Sequence, residues 1–371
     1  MKKIIAAITL AQAAFVMPAL AADYTIGAAF PMSGPNAEYG EVFGSAANMA
    51  ADHINADKKL SGKISVVYED SLGLPAQGVI AANKLVNVNK VPYALSAFTG
   101  VSKAVAPIGA RTKTVMVNGG GVGPDLAALG DYFWNVIPLV DFEVKVVVPY
   151  LVKEKGLKRI AAIYVDDPAG QAIVAELGKA LKENGGELVG SFSIPTTQQQ
   201  FASVAARVRD TKPDAVYFAT YGTQQVQLVK QLRDNGISQP LISYSAASLP
   251  SMQTLPEAKG LIYTGQKIEW DKNDAKAMRL YNDYKAKFNK EPSAYVVNYY
   301  NSVLLFAELA AALEKAGKPV TGENLLAQRK ATATFPFVGA TVSFAPNGTV
   351  QSPIQIFEVV GDGTSKPVAT K

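Results

Sequence analysis

The stretch Asn118–Asp125 reads NGGGVGPD and follows the apolar run Thr114–Val117. Three consecutive glycines behind a strand let the backbone come close to whatever it faces and adopt φ > 0. Pro124 suits the first turn of a helix, whose free N–H groups and positive end attract an anion. A nucleotide-phosphate loop is excluded. No Lys follows the glycines as G-x-x-x-x-G-K-[S/T] requires, and Pro124 stands where the third glycine of G-x-G-x-x-G belongs. The octapeptide is either a plain strand-to-helix turn or a cradle for a small anion, and by itself it does not choose.

Few other residues carry chemistry. The chain has no Cys, which removes Cys nucleophiles, Cys-ligated zinc and anchoring through an N-terminal Cys. Its one histidine, His53, sits at a helix end and reads as structural or solvent-facing. A Ser-His-Asp triad would have to use it, and no G-x-S-x-G elbow accompanies it. Glu69 and Asp70 form a pair of carboxylates of the kind used in acid–base catalysis. Lys and Arg are scattered, without a stripe or a basic tail, so nucleic acid is not an expected partner. KEKGLKR, beginning at Lys153, reads as a solvated helix end.

These residues have to be positioned by a globular fold. At 49% hydrophobic and 18% charged residues, the chain of 371 residues is rich enough for two domains with their own cores. Residues 1–21 read as a signal peptide: Lys2 and Lys3, an apolar run over Ile4–Met17, and the small-x-small site Ala19-Leu20-Ala21. Losing the two lysines lowers the formal charge from +5 to +3. No other segment approaches about 18 continuous apolar residues. The remainder alternates strand and helix. Tyr24–Phe30, Lys63–Tyr68, Tyr93–Ala97 and Thr114–Val117 are expected strands, with helices over Glu41–Ile54, Pro75–Val88 and Ser102–Ala110. The rhythm restarts with a helix over Asp141–Lys155 and strands at Arg159–Val165, Glu187–Ile194, Asp214–Ala219, Pro240–Ser243 and Leu261–Thr264. Helices are expected between them at Ala169–Glu183, Phe201–Arg209 and Gln224–Asp234. Long helices follow at Lys272–Phe288 and Ala294–Ala316, then strands Val342–Phe344 and Ile354–Val360 split by the turn Pro346-Asn347-Gly348. Alternation of this kind predicts parallel sheets with helices on both faces, in two similar lobes.

Six stretches carry a resemblance. IGAAFPMSGPNAEYGEVFGSAANMAADHINA (Ile26–Ala56), VYEDSLGLPAQGVIAANKLV, RIAAIYVDDPAGQA, FASVAARVRDTKPDAVYFATYGTQQVQLVKQLRDNG, PSAYVVNYYNSVLLFAELAAALEKAG and FVGATVSFAPNGT occur in this order behind the signal peptide. Together they resemble the leucine/isoleucine/valine-binding protein family, the type I periplasmic binding proteins of ABC importers. The resemblance implies an α/β fold of two Rossmann-like lobes joined by a three-crossing hinge near Asp141, Lys267 and Ala345. Lobe 1 would comprise 22–140 and 268–345, and lobe 2 would comprise 141–267 and 346–371. It implies a monomer in the periplasm that does no chemistry and hands its ligand to an inner-membrane ABC permease. No catalytic residue, metal or cofactor is expected, and Glu69-Asp70 becomes an ordinary strand-end loop. A sensory module serving a membrane receptor is the alternative.

The same resemblance implies a ligand carboxylate held by two loops of the first lobe, Ala97–Gly100 and Asn118–Val122. The Thr99 hydroxyl and backbone amides near Thr99 and over Gly120, Gly121 and Val122 are the expected donors. Tyr39, Phe98 and Tyr221 are expected to cover apolar ligand surface, and Trp134, Tyr244 and Trp270 are further aromatics near the cleft. Two departures bear on the ligand. Val122 stands where amino-acid-binding members carry a hydroxyl. Ser245 stands where they carry the Glu that pairs with the ligand ammonium. A buried ammonium without a carboxylate is poorly compensated, which favours an acid lacking an α-ammonium unless Asp166 or Asp167 supplies the charge.

Overall fold

The computed structural model describes residues 23–368; the expected signal peptide lies outside the described residues. The first block of the chain gives β1 (Tyr24–Phe30), α1 (Ala37–Ala56), β2 (Ile64–Asp70), α2 (Pro75–Asn87), β3 (Tyr93–Ser96), α3 (Thr99–Thr112), β4 (Val115–Asn118) and β5 (Phe133–Asn135). The second gives α4 (Val140–Pro149), β6 (Arg159–Val165), α5 (Pro168–Asn184), β7 (Glu187–Ile194), α6 (Ala202–Asp210), β8 (Ala215–Ala219), α7 (Gly222–Asp234), β9 (Leu241–Ser243), α8 (Pro250–Gln253) and β10 (Ile262–Gln266). The last gives α9 (Ala275–Phe288), α10 (Ala294–Lys315), α11 (Gly322–Ala331), the pair β11 (Phe335–Phe337) and β12 (Ala340–Val342), then β13 (Ile354–Val359) and β14 (Ser365–Pro367).

Two sheets result. The first is five-stranded and wholly parallel, in the order β2-β1-β3-β4-β5. The second is seven-stranded, in the order β14-β13-β10-β9-β8-β6-β7. Its β6 to β10 are parallel, while β13 and β14 close one edge antiparallel. Strands such as β3, β4 and β8 are buried along their whole length, as parallel strands covered on both faces must be.

Local chemistry fixes the helix ends. Asp167 caps α5 by accepting the Gly170 amide at 2.7 Å, and Gly185 at φ 79 ends that helix. Asp274 caps α9 and Ser293 caps α10 in the same way. By length and composition α10 would span a bilayer, but most of it is buried in the protein, where it packs on α1. The Tyr299 hydroxyl on α10 donates to the Ser96 carbonyl at 2.8 Å, which fixes this helix beneath the end of β3.

Several expectations require correction. The helix expected over Asp141–Lys155 is α4 followed by a π-helical turn, Tyr150–Glu154. Pro149 has no N–H to continue the i→i−4 ladder, and the chain widens there to the Lys155 N to Tyr150 O bond of 3.0 Å. Pro124 opens only a short 3-10 turn, Pro124–Ala128. The strand expected at Val342–Phe344 lies earlier, as β12, and that expected at Ile354–Val360 is β13. β12 pairs with β11 and β13 pairs with β10, while the intervening turn is drawn to β5, where the Asn135 amide donates to the Gly348 carbonyl at 2.8 Å. Strands β5, β11 and β14 and helices α8 and α11 have no counterpart among the expected elements.

Candidate functional site

Two loops of the first sheet meet at the carboxyl ends of β3 and β4. After β3 the chain turns at Phe98, which takes φ 64 and ψ 139, and α3 starts at Thr99. Positive φ in a residue with a bulky side chain is a strained conformation. After β4 the Asn118 side chain staples the glycine loop. Its Oδ1 accepts the amides of Gly120 (3.2 Å) and Gly121 (2.6 Å), and its Nδ2 donates to the Gly121 carbonyl (2.8 Å) and to Asn135 Oδ1 (2.9 Å). Thr99 Oγ1 accepts the amides of Val122 (3.2 Å) and Gly123 (3.0 Å).

The amides of Gly120, Gly121 and Val122, expected as donors, are here hydrogen-bonded within the protein. The free donors here are the Thr99 hydroxyl proton and the first amides of α3, which no helix can satisfy internally. The glycines also serve a different purpose from the one their run suggests. None of Gly119, Gly120 and Gly121 has positive φ. A Cβ on Gly119 would meet the Tyr299 ring at 3.1 Å, one on Gly120 the Tyr299 Oη at 2.9 Å, and one on Gly121 the Phe98 backbone at 2.9 Å. They permit close packing of the loop on its own protein.

Across the seam, three elements of the second sheet complete the site. Tyr221 precedes α7 and donates its hydroxyl to Asp167. Ala169 lies in the first turn of α5, and Tyr244 follows β9. From below, Tyr295 of α10 presents its ring edge to Tyr39, with centroids 5.8 Å apart. Phe98 lies between Tyr39 and Tyr221, T-shaped to both at 5.2 Å. Tyr39, Phe98, Thr99, Gly120, Gly121, Val122 and Tyr221 thus border one cavity with Ala169, Tyr244 and Tyr295. Its volume is about 20 Å³, room for about one water. Among the helices that begin at it, α3, α5 and α7 border it at Thr99, Ala169 and Tyr221, which puts their positive ends beside it.

The electrostatics follow from burial. Tyr39 is 3% exposed and its hydroxyl has no hydrogen-bond partner of ordinary geometry, although the Gly222 amide is near. Burial holds the phenols of Tyr39, Tyr221 and Tyr244 well above their ordinary range, so they are neutral donors at physiological pH. Burial also raises the Asp167 carboxyl, opposed by the Gly170 amide and the Tyr221 hydroxyl.

Of the residues expected to bind ligand, Ser245 stands off the cavity. Tyr244 faces inward, and Ser245 beside it turns away, its amide donating to Glu143 Oε2 at 3.0 Å. Trp134 is buried beneath Arg329, and Trp270 packs edge-on against Tyr281, so neither borders the cavity. Glu69 pairs with Lys84, and Asp70 accepts the Met32 and Leu72 amides and the Ser33 hydroxyl. These two carboxylates are anchors of their loop. His53 is buried between Tyr300 and Asp283.

A model of the family described as "Periplasmic binding protein" matches residues 23–364. The chain belongs to the periplasmic binding protein family. Among curated relatives, this binding protein is similar to Leu/Ile/Val-binding protein BraC3 of Rhizobium johnstonii, with 28% identity over 94% of this chain and 95% of the relative. Its fold is that of the leucine binding protein LivK from Thermotoga maritima, with TM-score 0.85, 19% identity and coverage of 93% and 98% of the two chains. It is equally that of an R. palustris solute binding protein solved with benzoate, with TM-score 0.83, 18% identity and coverage of 94% and 96%. In this binding protein, sequence reasoning missed Ala169 and Tyr295 on the cavity wall. Tyr295 was one apolar-face residue among many along α10. Only the Phe98–Tyr39–Tyr295 cluster distinguishes it.

Proposed function

We propose that the protein is the periplasmic substrate-binding component of an importer of the branched-chain-amino-acid type. It captures a small apolar carboxylate between its lobes, delivers it to an inner-membrane permease as a monomer, and catalyses nothing. Residues 22–140 with 268–345 act as one lobe and 141–267 with 346–371 as the other. The chain crosses between them near Asp141, Lys267 and Ala345, and hinge motion there opens the cleft.

One observation carries this reading. A cavity walled by aromatic rings from both lobes has three helix N-termini and the Thr99 hydroxyl around it, and no Lys or Arg borders it. Helix ends and a hydroxyl stabilise one compact anion, and rings cover an apolar body. The carboxylate lies at the start of α3 beside Thr99, and Tyr39, Phe98, Tyr221, Tyr244 and Tyr295 enclose the rest. Ser245 gives no charge to the second wall, and Asp167 is already engaged by Tyr221 and Gly170. These features favour an acid without an α-ammonium, a class that includes the benzoate bound by the R. palustris protein.

A thermal-shift panel of leucine, valine, their keto acids, benzoate, phenylacetate and small amides tests the reading. A ligand at about a hundred times its Kd adds about 2.7 kcal/mol of stability. Acids lacking nitrogen are expected to raise Tm with concentration and the amides to leave it unchanged. A response to leucine alone overturns the preference against an ammonium. Turnover of any bound compound overturns the whole assignment.

A further inference from the structure

Glu143 lies one layer behind the cavity, on α4, and is only 1% exposed. Its Oε2 accepts the Thr264 hydroxyl at 2.7 Å and the Ser245 amide at 3.0 Å. α4 follows the first passage between the sheets, and Thr264 stands on β10, the last strand before the second. The carboxylate therefore ties both passages to the turn that carries Tyr244. The Tyr295 hydroxyl lies 3.5 Å from Ser245 Oγ, so the link reaches the cavity floor.

Among the described residues nothing cationic balances this group. α4 packs on α5, β10, β13 and the π-helical turn. Their titratable side chains are Glu176, Lys179, Lys182 and Glu183, Tyr263, Glu358, and Tyr150, Lys153 and Glu154 respectively. Among the described residues no Lys, Arg or His comes within ion-pair distance of Glu143, and on α4 itself Lys145 pairs with Asp141. The groups electrostatically coupled to it are Tyr217 of β8 and Tyr295 of α10, whose phenols burial holds far above neutrality. The Tyr217 hydroxyl is buried without a hydrogen-bond partner. A buried carboxylate without a counter-charge is held only by its hydrogen bonds, so its protonation rises toward neutral pH. Burial pushes the Glu143 carboxyl up to about 7, against the Thr264 and Ser245 donors.

We propose that Glu143 is a proton-responsive positioning residue that couples ambient pH to the second wall of the ligand cavity. Ionised, it accepts from Ser245 and Thr264 and holds the Tyr244–Ser245 turn in place. Protonated, it loses the charge that strengthens both bonds, and its grip on the Ser245 amide weakens. The functional part of this rests on the cavity being the ligand site.

The test uses the mature chain without ligand. Carboxyl ¹³C resonances are followed by NMR from about pH 5 to about pH 8.5, with Glu143 assigned by E143Q, which keeps an acceptor oxygen. A Glu143 midpoint near 7 is expected, with the Ser245 amide and Tyr295 ring resonances following it in the wild type but not in E143Q. A midpoint below about 5, or cavity resonances that ignore it, overturns the proposal. Benzoate affinity is the second arm, because this acid stays ionised throughout. A several-fold change in Kd between about pH 6 and about pH 8, absent in E143Q, is expected. A bound but pH-independent benzoate overturns the coupling. Failure of benzoate to bind counts against the ligand reading, and the NMR arm still decides the proposal.

Discussion

The Asn118 carboxamide and the Thr99 hydroxyl between them hold four amides of the glycine loop, Gly120 to Gly123. Thr99→Val removes an acceptor shared by two buried amides and, in the proposed site, the donor to the carboxylate. Loss of a hydrogen bond to a charged group costs about 1.5–3 kcal/mol, roughly a ten- to hundredfold rise in Kd. Calorimetry is expected to register that rise together with a lower Tm, and Thr99→Ser to restore both. Gly121→Ala makes a poor probe of ligand contact. Its Cβ meets the backbone of Phe98 and Thr99 at 2.9 and 3.0 Å, so it disturbs the protein before any ligand is present. Here the glycine run marks a loop that borders the cavity, but not how its amides are used. Which amides are consumed depends on where Asn118 and Thr99 point, and only tertiary packing decides that. Glu143 supplies a pH signature of its own. Burial pushes its carboxyl in the folded protein from the ordinary 4.5 up to about 7. Across that window the unfolded chain has released the proton and the folded one still holds it, so stability falls as pH rises, then levels off. Denaturant titrations at a series of pH values should show this decline, on the order of 3 kcal/mol, and E143Q should lack it.

At the scale of elements, long and strongly patterned segments were legible and short ones were not. Arg159–Val165 and Glu187–Ile194 have the predicted bounds because a continuous apolar run or an alternating one specifies a strand locally. Phe133–Asn135 is a strand only because β4 and the turn at Gly348 offer it partners. The π-helical turn after Pro149 likewise reflects one missing N–H. Asn301 shows how a helix can organise a distant segment. From α10 it accepts the Val338 amide at 2.8 Å and donates to the Val338 carbonyl at 3.1 Å, and so clamps the link between β11 and β12. Asn301→Ala leaves both backbone groups buried and unpaired, at about 1–3 kcal/mol each. Urea unfolding should show a loss of that order, while ligand affinity measured well below the transition stays close to wild type.

For the whole molecule the decisive region is the seam between the lobes. Glu38 of α1 accepts the Ser251 amide at 2.9 Å and the Ser251 hydroxyl at 2.5 Å, Phe98 meets Tyr221, and Asn36 rests against Gly222. Gly222 has φ +63, and a Cβ there would lie 2.3 Å from Asn36 Oδ1. Gly222→Val therefore keeps the lobes from meeting. Small-angle scattering should give a larger radius of gyration than wild type, with weaker ligand binding. An unchanged radius would mean that the seam tolerates the side chain. The two-lobe plan was readable from the repeated βα rhythm and the family resemblance. The seam's particular contacts were not, because they join residues more than 120 positions apart that no local pattern connects.

A chamber of about 20 Å³ has a kinetic corollary. It has room for about one water in this arrangement, so under the proposed function the lobes part before an acid is captured, and if they part unaided the rate has a limit. In stopped-flow mixing, the observed rate should then stop climbing with concentration and settle at a ceiling set by the protein's own breathing, the same for a fast-diffusing acid as for a slow one.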